Sequence, residues 1–178
     1  AAGNTTTSAP VTVTVSNSVS APAGLVAAYG YNEGGGISAF DSSPTGGSAT
    51  LVGATWAAGQ FGSTLSTNAG GFAESADADA VTPPAGATFS AWVFVASAPT
   101  EIASIANKWD GSPEDEYLFG LTPNRNPYFA WHTTGGSTWG TPAFGEVAGS
   151  GQVPLNVWTH VAVVRSGATV SFYINGLL

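Results

Sequence analysis

The stretch Thr88-Phe89-Ser90-Ala91-Trp92-Val93-Phe94-Val95 carries apolar side chains on both of its alternating faces. Phe89, Ala91, Val93 and Val95 share one face, and Trp92 and Phe94 lie on the other. An aromatic and β-branched run of this length reads as a strand. Apolar groups on both faces predict a central strand covered from both sides. Working outward, similar short runs alternate with Gly, Pro, Asn and Ser turns. They fall at residues 25–31, 49–52, 54–57, 61–66 and 71–75, then at 101–108, 117–121, 128–133, 157–165 and 168–174. Many short strands at near-regular spacing predict an all-β fold, a two-sheet antiparallel jelly-roll sandwich. Helical content is expected to be one turn at most, around residues 55–59 or 99–103.

Composition agrees with that class and removes others. The chain has 178 residues, 3 Lys+Arg, 11 Asp+Glu and a formal net charge of −8. Three basic residues cannot displace counterions from a phosphate backbone, so no nucleic-acid partner is expected. Cysteine is absent, which removes a disulfide scaffold and a thiolate metal site. No run of ~18 apolar residues occurs, so no membrane insertion is expected. The first residues, Ala1-Ala2-Gly3-Asn4, lack a basic and an apolar leader region, so a signal peptide is expected to be absent or already removed. Scarce Lys and Arg with abundant Ala, Gly, Ser and Thr suggest an extracellular or cell-surface setting, of bacterial kind. Asn4-Thr5-Thr6 fits the glycosylation pattern, although a polar turn accounts for it equally well.

Residues 10–16 stand apart. Val11, Val13 and Val15 alternate with Thr12, Thr14 and Ser16, the pattern of a half-buried strand. Residues 17–24 then read as a linker. Two parts are therefore expected: an extension strand and linker at 1–23, and a jelly roll at 24–178.

Three stretches together resemble a LamG-like jelly roll of the concanavalin A-like lectin/glucanase superfamily. One is Gly24-Leu25-Val26-Ala27-Ala28-Tyr29-Gly30-Tyr31-Asn32-Glu33-Gly34, followed by Phe40-Asp41-Ser42-Ser43. The next is Phe89-Ser90-Ala91-Trp92-Val93. The third runs from Trp158-Thr159-His160-Val161-Ala162-Val163-Val164-Arg165 into Phe172-Tyr173-Ile174-Asn175-Gly176, and it is the most specific. The resemblance implies two packed antiparallel sheets, usually without catalysis, often binding glycans or proteins and often holding calcium at one rim. It also implies a further strand and a closing strand after the Asn-Gly turn, which residues 24–178 do not include. Ala2-Gly3-Asn4, followed by the alternating Val and Thr residues, resembles the last strand of a bacterial Ig-like repeat.

Each candidate chemistry has a plainer reading beside it. Glucanases of the superfamily set carboxylates on one strand face through Glu-x-Asp-x-x-Glu. Here Glu74-Ser75-Ala76-Asp77-Ala78-Asp79 has the wrong spacing and loop-like flanks, so no enzymatic activity is expected. His132 and His160 both fall in strands near a tryptophan, and His160 is expected to be structural. Asp110, Glu114, Asp115 and Glu116 lie in a Gly- and Pro-bearing loop, the donor type that calcium takes. The plainer reading is a solvated acidic loop. With Glu74, Asp77 and Asp79, that loop brings seven of the eleven acids into two loops.

Sugar sites pair an aromatic platform with polar groups that read hydroxyls. Trp109 heads the acidic loop, and Trp139 sits among glycines at a loop tip, so both are candidate carbohydrate-binding residues. Trp56, Trp92, Trp131 and Trp158 are expected in the core. The detached strand offers another possibility, strand exchange through Val11, Val13 and Val15. The function expected is a non-catalytic recognition or adhesion module whose partner is a glycan or a surface protein. The competing reading is a filament or appendage subunit, a homo-oligomer joined by strand complementation.

Overall fold

A computed structural model describes residues 21–76, 86–108, 116–132 and 144–178. Among these, twelve strands are ordered β1 (Ser38–Ala39), β2 (Ala49–Val52), β3 (Thr55–Gly59), β4 (Gly62–Ser66), β5 (Phe72–Glu74) and β6 (Gly86–Phe94), then β7 (Ala103–Lys108), β8 (Tyr117–Leu121), β9 (Pro127–His132), β10 (Phe144–Ala148), β11 (Trp158–Ser166) and β12 (Thr169–Ile174). One 3-10 turn, Asn68–Gly70, is the helical content of the described residues.

Two antiparallel sheets carry the core. A four-stranded sheet has the order β10-β9-β8-β7, and a three-stranded sheet has the order β12-β11-β6. Period-2 alternation sends one side of each strand inward. Phe119, Phe129, Val153, Val161 and Val163 are fully buried, with Tyr117 and Leu121 beside them. Phe89, Val93, Ile105, Trp131, Val170 and Phe172 pack around this set. Phe89 lies 5.6 Å from Phe129 and 4.7 Å from Tyr117, centroid to centroid, so the rings of the two sheets interlock. This is the jelly-roll sandwich the strand pattern predicts. Two smaller sheets, β1-β2-β5 and β3-β4, complete the described residues.

Turn chemistry explains the β11–β12 hairpin. β11 and β12 meet through Gly167-Ala168, with Gly167 at φ 59° and Ser166 opposite Thr169. Glycine first in a two-residue loop suits a turn whose twist matches the strands. After β12, Asn175 and Gly176 take φ 51° and 78°, the left-handed pair that favours Asn-Gly. The Asn175 side chain also accepts a hydrogen bond from the His160 amide at 3.0 Å, tying that turn to β11.

Three expectations need correction. Residues 25–31 do not form a strand; one bridge, Tyr29 to Asp41, is their ladder contact. Scattered hydrogen bonds replace the ladder: the Ser42 amide donates to the Ala28 carbonyl at 2.8 Å, and the Ser63 hydroxyl to the Tyr31 carbonyl at 2.7 Å. Asp41 accepts hydrogen bonds from the amides of Ala28 and Ser43, both at 2.8 Å, from the hydroxyls of Ser43 at 2.7 Å and Thr45 at 3.1 Å, and from the Gly47 amide at 3.3 Å. The stretch 88–95 is not covered on both faces. Its inner face meets the core, but Trp92 is 44% exposed and Phe94 46%. Trp92 is therefore not a core residue, while Trp131 is packed against the core. Finally, the one helical turn of the described residues lies at Asn68–Gly70, while residues 55–59 are strand β3, as the strand reading of 54–57 expects.

Burial works to raise the pKa of Asp41, but the hydrogen bonds from Ser43, Ala28 and Thr45 outweigh it and hold the carboxyl below its usual range. A carboxyl depressed in the fold stabilises it above the unfolded pKa. That contribution disappears as pH falls through the lowered folded value. Asp41→Ala should therefore lower stability by about 1–3 kcal/mol near neutral pH. In urea titrations the gap between wild type and variant should close toward strongly acid pH.

Candidate functional site

The four-stranded sheet decides where the two nominated loops meet. β7 ends at Lys108 and β8 begins at Tyr117, while β9 ends at His132 and β10 begins at Phe144. The register aligns Lys108 with Tyr117, Tyr117 with Trp131, and Trp131 with Gly145. Connections 109–115 and 133–143 therefore leave the same end of one sheet. Trp109, Asp110, Glu114, Asp115 and Trp139 lie outside the described residues, as do Asp77 and Asp79. Val11, Val13 and Val15 do so as well. Glu116 is described, at the base of this end.

That base is tightly bonded. The Glu116 amide donates to the Lys108 carbonyl, and the His132 amide donates to the Glu116 carbonyl, each at 2.9 Å. Lys108, the single lysine of the sequence, pairs through Nζ with Glu116 Oε1 at 3.1 Å. The two side chains are 18% and 21% exposed, so the pair is partly screened from water. Glu116, nominated as a metal ligand, thus has an ammonium partner. Among the described residues no three metal-ligating side chains gather.

Below the base the sheet is aromatic. Trp131 stacks on Phe129 at 5.6 Å, and the Arg165 guanidinium lies 4.9 Å from the Trp131 ring centroid. Arg165 stands on the inner side of β11, so its cation–π contact joins the two sheets at this end. A Cβ at Gly145 would sit 2.4 Å from the Trp131 ring, so glycine is required for the ring to lie across β10.

On the outer side of the same sheet, the Tyr128 hydroxyl donates to Glu146 Oε2 at 2.5 Å. Tyr128 is 6% exposed. Burial, then the hydrogen bond and charge of Glu146, push its pKa far above the usual phenol value. Glu146 lies opposite Ala130, and Ala130 opposite Leu118, so its register neighbours are apolar. Nothing in the sequence marks this pair as a site. Its signal was weak, because a lone Glu in Phe144-Gly145-Glu146-Val147-Ala148 does not stand out as a strand.

A second feature was also missed. The outer side of β6 and β11 carries a partly exposed aromatic cluster. Trp92 lies 5.5 Å from His160, Phe94 5.6 Å from Trp158, and Phe61 meets the edge of Trp92 at 5.3 Å. His160 is therefore on the outer side of its sheet, and its hydrogen bond to Asn175 runs through the backbone amide, not the imidazole.

Two face-packed antiparallel sheets, with loops gathered at one sheet end, have the build of a lectin-type jelly roll. A laminin-G-like family model, described as "Concanavalin A-like lectin/glucanases superfamily", matches residues 65–178, and the chain belongs to that family. No curated protein and no solved structure matches the chain.

The Trp131 packing gives a direct check. Gly145→Ala should displace the ring, weaken the near-ultraviolet tryptophan signal, and cost about 1–3 kcal/mol in thermal or urea unfolding.

Proposed function

We propose that this protein is a non-catalytic recognition module of the cell surface that binds glycans at the end of the four-stranded sheet. One observation carries the reading: the strands that flank the connection bearing Trp109 and the one bearing Trp139 are neighbours in one sheet and finish at the same end of it. Two tryptophans from adjacent loops supply stacking faces for sugar rings. The acids of the first loop supply hydroxyl acceptors. Family membership supports a carbohydrate-binding or adhesion role in general.

Glycan-array screening of the full chain tests the reading. At least one class of glycan should bind, and Trp139→Ala should reduce that binding by about tenfold or more, the loss of one stacking face. Retained binding in both Trp139→Ala and Trp109→Ala would move the site elsewhere.

Calcium belongs to the same proposal. Asp110, Glu114 and Asp115 would hold the ion, with Glu116 left to Lys108. A bound cation raises the melting temperature with its concentration. Calcium should therefore raise the melting temperature of the wild type and leave Asp110→Asn with Asp115→Asn unchanged. Identical melting with calcium and with chelator would remove the ion from the proposal.

A further inference from the structure

The outer β6 edge, opposite β11, carries no strand among the described residues. β6 is nine residues long and pairs with β11 through its whole length. Burial falls away toward the free edge. On β11, Val161 and Val163 are fully buried, whereas Phe89 and Val93 on β6 are only partly buried while facing the same core. Trp92 and Phe94 leave apolar area open on the other face. The strand has no charged residue and no proline to guard its edge. An unguarded edge with unpaired amides and carbonyls is a template for another strand.

We propose that this edge takes residues 10–16 of a second copy of the chain as an added β-strand. The chemistry of the segment is complementary. Val11, Val13 and Val15 would extend the core beside Phe89 and Val93, and Thr12 and Thr14 would lie on the outer face beside Trp92 and Phe94. Neither strand carries a charge that would have to be desolvated. Main-chain hydrogen bonds supply affinity, and the alternation fixes the face, because a one-residue slip would turn every valine outward. The tether has the reach for a neighbouring copy. Ala21, Pro22, Ala23 and Gly24 are all exposed. Residues 17–24 span up to ~26 Å when extended, enough to reach an adjacent molecule. Donor segment and acceptor edge are different surfaces of one chain, so the contact is heterologous and repeats head to tail. This inference stands apart from the glycan reading, since it uses neither Trp109 nor Trp139.

Light scattering and hydrogen exchange on the full chain test it together. The wild type should assemble as concentration rises, with the amides of β6 gaining protection in step. Val13→Asp should abolish assembly and that gain, while residues 161–174 keep their protection and report an intact fold. Val13→Ile should retain both. A wild type that stays monomeric at all concentrations overturns the proposal. So does assembly by Val13→Asp at the wild-type level. Concentration-independent protection of β6 that is lost in Val13→Asp would show that a chain fills its own edge, which also overturns it.

Discussion

The inward alternation of β8, β9 and β11 is the constraint on which the rest of the structure depends. Phe119, Phe129, Val161 and Val163 must all point into one layer, and each is essentially inaccessible to water. With so few charges in the chain, ion pairs cannot hold the sheets together, and apolar burial at ~25 cal/mol per Å² has to. That requirement fixes the strand faces, and the faces fix where everything else can go. Gly145 is a consequence: the ring of Trp131 needs the space above β10, so β10 gives up a side chain. Arg165 is another, lodged between the sheets with a ring to lie against.

Strand identity was largely legible in the sequence, because period-2 runs between turn residues leave few alternatives. The misreadings share a cause. Residues 25–31 and 88–95 have strand-like side-chain character, which does not report what lies opposite. Tyr29 and its neighbours are held by scattered contacts from Asp41, Ser42 and Ser63, thirteen to thirty-two residues away, that no local pattern encodes. Trp92 and Phe94 have a buried composition and an exposed position. β1, two residues long, and β10, with glycine and glutamate inside it, carry too little pattern to be read.

The candidate site was legible only in pieces. Clustered acids and glycine-flanked tryptophans marked residues 109–116 and 133–142 as loops, and nothing in sequence spacing said they were neighbours. The sheet order β10-β9-β8-β7 does so, because antiparallel pairing returns every second connection to the same end. The Lys108–Glu116 pair likewise spans the acidic loop that separates its members. One acid counted toward a metal cluster is thereby a counter-ion.

The two proposed surfaces make different demands on the fold. The glycan site uses strand ends of the four-stranded sheet, where loops vary without disturbing the ladder. The assembly site uses a strand edge of the three-stranded sheet, where main-chain geometry is shared by any sequence that alternates correctly. A module can then change its ligand by altering residues 109–115 and 133–143 while keeping Gly86–Phe94 as its joint. Conversely, weakening the joint through Val13 leaves the rows from Lys108 to Gly145 untouched. The two proposed roles would thus be separable in this fold, because one depends on side chains at a sheet end and the other on backbone at a sheet edge.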